Sequence, residues 1–217
     1  MTMGIKLCNL FVKITGWLPQ KLVFRTKILY EDAAIQKRKI SGPAILISNH
    51  TALFDYAIWL FVFIGRTLRF QMAEVLFRKK GLGLLLRLLG GIFVDRGTHD
   101  FGFVAKSEQI LSAGGVVGIF PESRLPLEGE ERPLPFKPSA AYLALSAGVP
   151  VIPVYTNGRY WTLRRAVVMI GTPMDVSLLT DPALSDKENI DRVTQAMRTR
   201  IMELGKKLDE QCGNQTK

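Results

Sequence analysis

Cysteine and histidine are scarce in this chain, with two of each, and that scarcity excludes several chemistries. Cys8 and Cys212 lie near opposite ends with no redox or ligand spacing, so no disulfide framework is expected and a reducing compartment fits. His50 and His99 stand apart, and no group of Cys, His, Asp and Glu has the spacing of a metal site. No Gly-rich loop runs into a Lys-Ser or Lys-Thr pair, which argues against nucleotide hydrolysis. Long apolar runs are missing as well. Leu53–Ile64 and Gly81–Val94 are too short to span a bilayer and contain Asp55 and Arg87. The N-terminal stretch carries Lys6 and Lys13, is followed by Pro19 and has no small-residue cleavage site, so neither a signal peptide nor a spanning helix is expected. No internal repeat and no low-complexity linker occurs.

Acidic residues are few beside basic ones, 19 against 29, for a formal charge of +10. The expected partners are therefore anionic: nucleic acid, an acidic membrane surface or a phosphorylated small molecule. Nucleic acid is disfavoured, because aromatic residues are not interleaved with basic ones on a strand pair and no binding motif is present. The charge concentrates at one end. Lys6, Lys13, Lys21, Arg25, Lys27, Lys37, Arg38 and Lys39 face only Glu31 and Asp32 within residues 1–40. In residues 5–18 the positions Lys6, Asn9 and Lys13 form one helical stripe, opposite Leu7, Leu10, Phe11, Ile14, Trp17 and Leu18. A second basic segment, with Lys21, Arg25 and Lys27, follows Pro19. Such a pair of basic amphipathic helices over residues 1–36 suits an anionic membrane interface, ahead of a main domain over 37–217. A pair of ordinary helices packed on the core is the competing reading.

With 47% apolar residues the chain can build a full core. Strand-like runs at Pro43–Ile47, Thr67–Met72, Gly91–Val94, Val116–Phe120, Val149–Tyr155 and Ala166–Ile170 alternate with helical stretches at Leu53–Ile64, Glu74–Leu89 (interrupted by Gly81 and Gly83), Phe101–Ala113 and Ser139–Ala147. The alternation predicts an α/β fold, a mixed and largely parallel sheet flanked by helices. Ser185-Asp186-Lys187-Glu188 is a capping box, and Ile190, Val193, Met197, Ile201, Leu204 and Leu208 form the buried stripe of a long last helix. Residues 213–217 read as a frayed tail. Ser123–Pro138, rich in proline and charge, reads as a mobile loop beside the site.

The chemistry concentrates where the first of those runs gives way to a helix, at Ser48-Asn49-His50-Thr51-Ala52-Leu53-Phe54-Asp55. Carboxyl edges of open sheets are the usual place for ligands. On one regular helix a five-residue offset would turn His50 and Asp55 roughly 140° apart. With His50 on the loop, Thr51 as helix cap and Asp55 inside the first turns, the carboxylate can reach one imidazole nitrogen and leave the other as a base. Three further strand ends carry a pattern: Gly91-Ile92-Phe93-Val94-Asp95-Arg96, Phe120-Pro121-Glu122-Ser123-Arg124, and the apolar Val149-Pro150-Val151-Ile152-Pro153-Val154. In this order, after Asn49, His50 and Asp55, they resemble the four-block signature of the glycerolipid acyltransferases, the family of 1-acylglycerol-3-phosphate and related lysophospholipid acyltransferases. The third block departs from the pattern, with Ser123 where the family has glycine. The resemblance spans about Pro43 to Tyr155.

That resemblance implies acyl transfer from an acyl-CoA or acyl carrier protein thioester to the free hydroxyl of a lysophospholipid, with 1-acyl-sn-glycerol-3-phosphate (lysophosphatidic acid) as acceptor. No cofactor or metal is implied. His50 would deprotonate the hydroxyl, Asp55 would hold and stabilise the imidazolium, and Arg96, Arg124 and Lys137 would hold the acceptor phosphate. Asn49 would bind substrate beside the base, and Glu122 would position glycerol hydroxyls or those arginines, in a block, Ser123 included, that the family uses for acceptor binding. Backbone N–H groups at the helix start after His50 would receive the oxyanion, and Phe54–Phe63 and Leu82–Leu89 offer apolar material for the acyl chain. A histidine base predicts a rate that falls as imidazole becomes protonated. The basic N-terminus implies a peripheral, monotopic enzyme on the cytoplasmic face of the membrane. Another lysolipid acceptor, and a lipid-binding relative without turnover, remain open at this point. His99 reads as a surface loop residue.

Overall fold

A computed structural model describes residues 3–95, 97, 101–160 and 165–213 of the chain. The strands are β1 (Lys27–Tyr30), β2 (Ala44–Ser48), β3 (Leu68–Ala73), β4 (Ile92–Val94), β5 (Val116–Ile119), β6 (Val151–Thr156) and β7 (Val167–Ile170). They form one sheet in the order β1-β7-β6-β2-β5-β3-β4. Every neighbouring pair is parallel except β6 and β7, which is the mixed, largely parallel α/β sheet expected.

Alternation across the pleat divides the core into two. Ala44 and Leu46 of β2 join Trp59, Phe63 and Phe70 on one side, while Ile45 and Ile47 join Leu111, Leu143, Met197 and Ile201 on the other. The first side is covered by α2 (Asp55–Val62) and the second by α5 (Gly102–Ser112), α6 (Ser139–Ala147) and α7 (Asp186–Gly213). The capping box forms: Ser185 Oγ donates to Glu188 Oε2 at 2.6 Å and Glu188 N donates to Ser185 Oγ at 3.4 Å. The tail beyond Gly213 lies outside the described residues. Between β3 and β4 the helical stretch breaks at Gly81 as expected, into α3 (Glu74–Arg78) and α4 (Leu82–Leu89), with Gly81 at φ 77 between them.

The N-terminus departs most from expectation. A single helix, α1 (Met3–Phe24), replaces the pair and runs through Pro19, and the second basic segment ends in β1, an edge strand paired with β7. The N-terminal helix and the sheet therefore part near Phe24, twelve residues before the expected boundary at 36.

The amphipathic stripe of α1 is turned inside out. Asn9 and Lys13 are 2% and 5% exposed, whereas Phe11, Ile14 and Leu22 are 66%, 67% and 70% exposed. Asn9 Nδ2 donates to Leu89 O at the end of α4, and Lys13 Nζ donates to Ile64 O at 2.9 Å and Arg66 O at 2.6 Å. These carbonyls belong to the turn that follows α2, and the ammonium satisfies backbone groups that the turn leaves bare. Burial pulls the Lys13 ammonium down to about 8. Gly16 completes the fit, since a Cβ there would lie 2.7 Å from the Phe61 ring of α2. The polar stripe thus docks α1 on the domain. Among the described residues no helix is long and apolar enough to cross a membrane.

The edge strand is fastened by Glu31. Its carboxylate accepts from Thr172 N at 2.9 Å, Thr172 Oγ1 at 3.0 Å, and the side chains of Arg200 and Lys207 on α7. Burial alone would raise this carboxyl, but the bonds from Arg200, Lys207 and Thr172 hold it down to about 2, against 4.5 for an ordinary glutamate. A depressed carboxyl contributes stability above its unfolded value that is lost as pH falls through the folded one. Stability from Glu31 is accordingly complete above 4.5 and lost toward 2. Glu31→Gln should lower Tm at neutral pH and flatten the acid limb of the wild-type Tm curve. An unchanged curve would deny the network that role.

Candidate active site

β2 is central, with β5 on one side and β6 on the other, all three parallel. Connections leave this point in both directions, which opens a crevice at the carboxyl ends of the strands. There a cavity of about 150 Å³ is lined by Asn49, His50 and Thr51 after β2, Glu122 after β5, Tyr155 to Asn157 at the end of β6, and Arg132 with Pro133.

The His50 ring is held on three sides. Its Nδ1 lies 2.8 Å from Asp55 Oδ2. Its face stacks on Phe120, with centroids 4.2 Å apart and planes at 15°. Its own backbone N–H donates to Glu122 Oε1 at 2.8 Å. A carboxylate on Nδ1 fixes the proton there and leaves Nε2 as the basic nitrogen.

Asp55 opens α2 after a turn in which its N–H donates to Ala52 O. The carboxylate folds back over the preceding loop, fully buried and saturated with donors. Oδ2 accepts from Thr51 N at 2.6 Å and Ala52 N at 2.9 Å besides His50. Oδ1 accepts from Thr51 Oγ1 at 2.8 Å and Tyr160 Oη at 2.6 Å. Thr51 is therefore not the helix cap. The backbone N–H groups of Thr51 and Ala52, just after His50, are committed to Asp55 and not open to an oxyanion, because a buried carboxylate takes every donor its loop can offer.

Several expected substrate contacts have structural duties. Glu122 is buried with both oxygens occupied, Oε1 by His50 N and Oε2 by Leu134 N at 2.8 Å. Burial pushes its carboxyl up and the two N–H bonds oppose this. It braces the His50 backbone, with one backbone N–H on each oxygen, while remaining on the cavity lining. Asn49 clasps β2 to β6, its Nδ2 donating to Thr156 O and its Oδ1 accepting from Thr156 N, each at 2.9 Å. Arg124 points away from the cavity lining into a bidentate surface pair with Glu130, at 2.7 and 2.6 Å. Lys137 is exposed and contributes its backbone N–H to Pro121 O. Ser123 sits at φ 61, a left-handed conformation in which the family's glycine would be at ease. Arg96 and His99 lie outside the described residues. The loop 123–138 is pinned by buried Leu134 and Phe136 and by Arg198, whose guanidinium donates to Pro133 O at 2.8 Å.

Two contributors were missed by the sequence reading. Tyr160 donates to Asp55 across 105 positions of chain, and burial with the neighbouring carboxylate pushes its phenol up, so it stays a donor. Arg132 is the described cation that lines the cavity. Neither belongs to a motif, and only the charge of the loop hinted at Arg132.

Gly158 packs beside this network at φ 65, where a Cβ would come 2.7 Å from Thr51 Cβ. Gly158→Ala should displace Thr51 from Asp55 and lower turnover about tenfold, the scale of one lost charge-assisted hydrogen bond. Unchanged turnover would show that the Thr51 hydroxyl is dispensable.

The acyltransferase family model matches residues 27–157, more than half of the chain. The chain belongs to the acyltransferase family. The match runs from β1 to just past β6, so it takes in the whole cavity lining. This acyltransferase is 26% identical over 210 residues to human 1-acyl-sn-glycerol-3-phosphate acyltransferase beta, covering 90% of this chain and 73% of that protein. It is 30% identical over 179 residues to the human alpha enzyme, covering 76% of this chain and 60% of that protein, which is the longer. The Bacillus subtilis 1-acyl-sn-glycerol-3-phosphate acyltransferase is 26% identical over 148 residues, 66% of this chain and 71% of that one. The crystal structure of the 1-acyl-sn-glycerophosphate (LPA) acyltransferase from Thermotoga maritima shares the fold, with TM-score 0.62 and 22% identity over 93% of this chain and 79% of that one.

Proposed function

We propose that this O-acyltransferase moves a fatty acyl group from a thioester, of coenzyme A or of acyl carrier protein, to the free hydroxyl of 1-acyl-sn-glycerol-3-phosphate and so makes phosphatidic acid. The observation that carries the reading is His50 Nδ1 at 2.8 Å from a buried, donor-saturated Asp55 in a cavity that a cation lines. The three relatives named above carry that acceptor in their names.

In the reaction, Nε2 of His50 takes the hydroxyl proton as the acceptor oxygen attacks the thioester carbonyl carbon. Asp55 stabilises the imidazolium that forms. When the tetrahedral intermediate collapses the carbon–sulfur bond breaks, and the thiolate leaves with the proton from Nε2. No protein nucleophile takes part. Arg132 takes the acceptor phosphate, together with Arg96 as the sequence suggests, since a guanidinium fork matches phosphate oxygens. Glu122 and Phe120 act on His50 by positioning it.

The enzyme works at a membrane, held by the outward apolar face of α1 and drawing its acceptor from the lipid layer. Exposed Leu82, Leu84, Leu85 and Leu88 on α4, whose last carbonyl Asn9 holds, extend that face. The absence of a disulfide at Cys8 and Cys212 suits the cytoplasmic side.

The test is thiol release from palmitoyl-CoA by purified protein, with and without lysophosphatidic acid, for the wild type and His50→Ala. Release that needs the acceptor and vanishes in the variant is expected. Acceptor-dependent release retained in His50→Ala would remove His50 as base, and a wild type that responds only to another lysolipid would overturn the acceptor.

A further inference from the structure

Away from the catalytic cavity, a cleft of about 540 Å³ opens between the end of α1, the far end of α2 and the start of β1. It shares no lining residue with the catalytic cavity. Lys21, Arg25, Arg38 and Arg165 line it, and no acidic residue does. Among the described residues none of these four cations is paired with a carboxylate. Arg38 spends Nε on Val62 O and one terminal nitrogen on Phe61 O, which orients its fork without neutralising it. Lys21 sits over the Trp17 ring at 4.2 Å.

Two details show a site built for a ligand. Arg25 has φ 48, at the position just past a helix where glycine is usual. An arginine kept there despite its conformational cost points to a use for the guanidinium. Beside it the Thr26 hydroxyl, also on the lining, is buried with no hydrogen-bond partner, and buried polar groups are ordinarily satisfied. Four cations and a free hydroxyl are complementary to a phosphate.

The cleft borders the exposed stripe of α1, since Trp17 belongs to both. We infer that this cleft binds the phosphate of an anionic phospholipid headgroup, a second lipid site separate from the acceptor site, which fixes the tilt of the enzyme on the bilayer. The inference rests on the membrane reading given above. Because α2 carries Asp55 at one end and the cleft at the other, a headgroup here would set the height of the catalytic crevice above the lipid.

The experiment compares flotation of the full chain on phosphatidylcholine vesicles with and without phosphatidylglycerol, a lipid that is neither acceptor nor product. Three proteins are used: wild type, Arg25→Gly with Arg165→Gln, and Lys106→Gln with Lys187→Gln as a control of equal charge. Glycine suits the φ of position 25, so the turn survives. Wild type should prefer the anionic vesicles, and the cleft variant should lose about fivefold for each cation removed, while it still floats on neutral vesicles and the control keeps the preference. A preference kept by the cleft variant, or lost equally by the control, would overturn the site. Suppression of the preference by millimolar inorganic phosphate would reassign the cleft to free phosphate. A wild type that floats on neither vesicle would overturn the membrane reading itself, an outcome distinct from the others.

Discussion

Asp55→Asn should lower turnover by about a thousandfold, within the range that a positioned acid–base pair contributes, while the protein still folds. The amide can keep an oxygen where Thr51 N, Ala52 N and His50 converge and place its NH₂ against the Thr51 and Tyr160 hydroxyls, which can turn to accept. What it cannot do is stabilise the imidazolium. Asp55→Ala should behave differently, because it leaves five donors facing a void in a fully buried position. We expect it to cost several kcal/mol of stability, since each buried donor left unpaired costs about 1–3 kcal/mol. Turnover from thiol release and thermal unfolding, measured on both variants, separate the two effects. Equal stability loss in both variants with equal residual turnover would mean that Asp55 only supports the fold.

Replacing Phe11 and Ile14 together by glutamate should weaken vesicle binding by at least a hundredfold. Each side chain is two-thirds exposed, and burying one such residue contributes about 1.5–3 kcal/mol. Two of them lost amount to more than two factors of ten. Because neither packs in the protein core, Tm should change little, as for surface substitutions in general. Flotation and Tm read on the same samples test this. Unchanged flotation would sink the role of α1 at the membrane. Removing residues 1–36 would be a poorer test, since it takes away β1 and the Glu31 network that fastens the sheet edge to α7.

The fold was legible because its signals are local. Each strand but β1 is a short apolar run, the Ser185–Glu188 box announces α7, and the spacing of His50 and Asp55 places an imidazole and a carboxylate on either side of a turn. The strand-to-helix junction also forecasts that both belong to the carboxyl edge of a sheet, and the structure puts them there. Polar duties within the site were another matter. Asn49, Glu122 and the N–H groups of Thr51 and Ala52 look available in sequence, yet each is taken by a partner brought up in space, Thr156, Leu134 and Asp55 respectively.

Sequence alone thus determined the α/β alternation, the histidine–aspartate pair and the amphipathic character of the first helix, because these depend on neighbours along the chain. Only the tertiary structure decided which face of α1 turns inward, that Tyr160 and Arg132 reach the site, and that Arg124 leaves it for Glu130. Helical periodicity separates polar from apolar faces but carries no information about which one has carbonyls to meet. Here the last carbonyl of α4 and the carbonyls of the turn after α2 needed donors, and Asn9 and Lys13 supplied them, so the polar stripe docked and the apolar face was left outward.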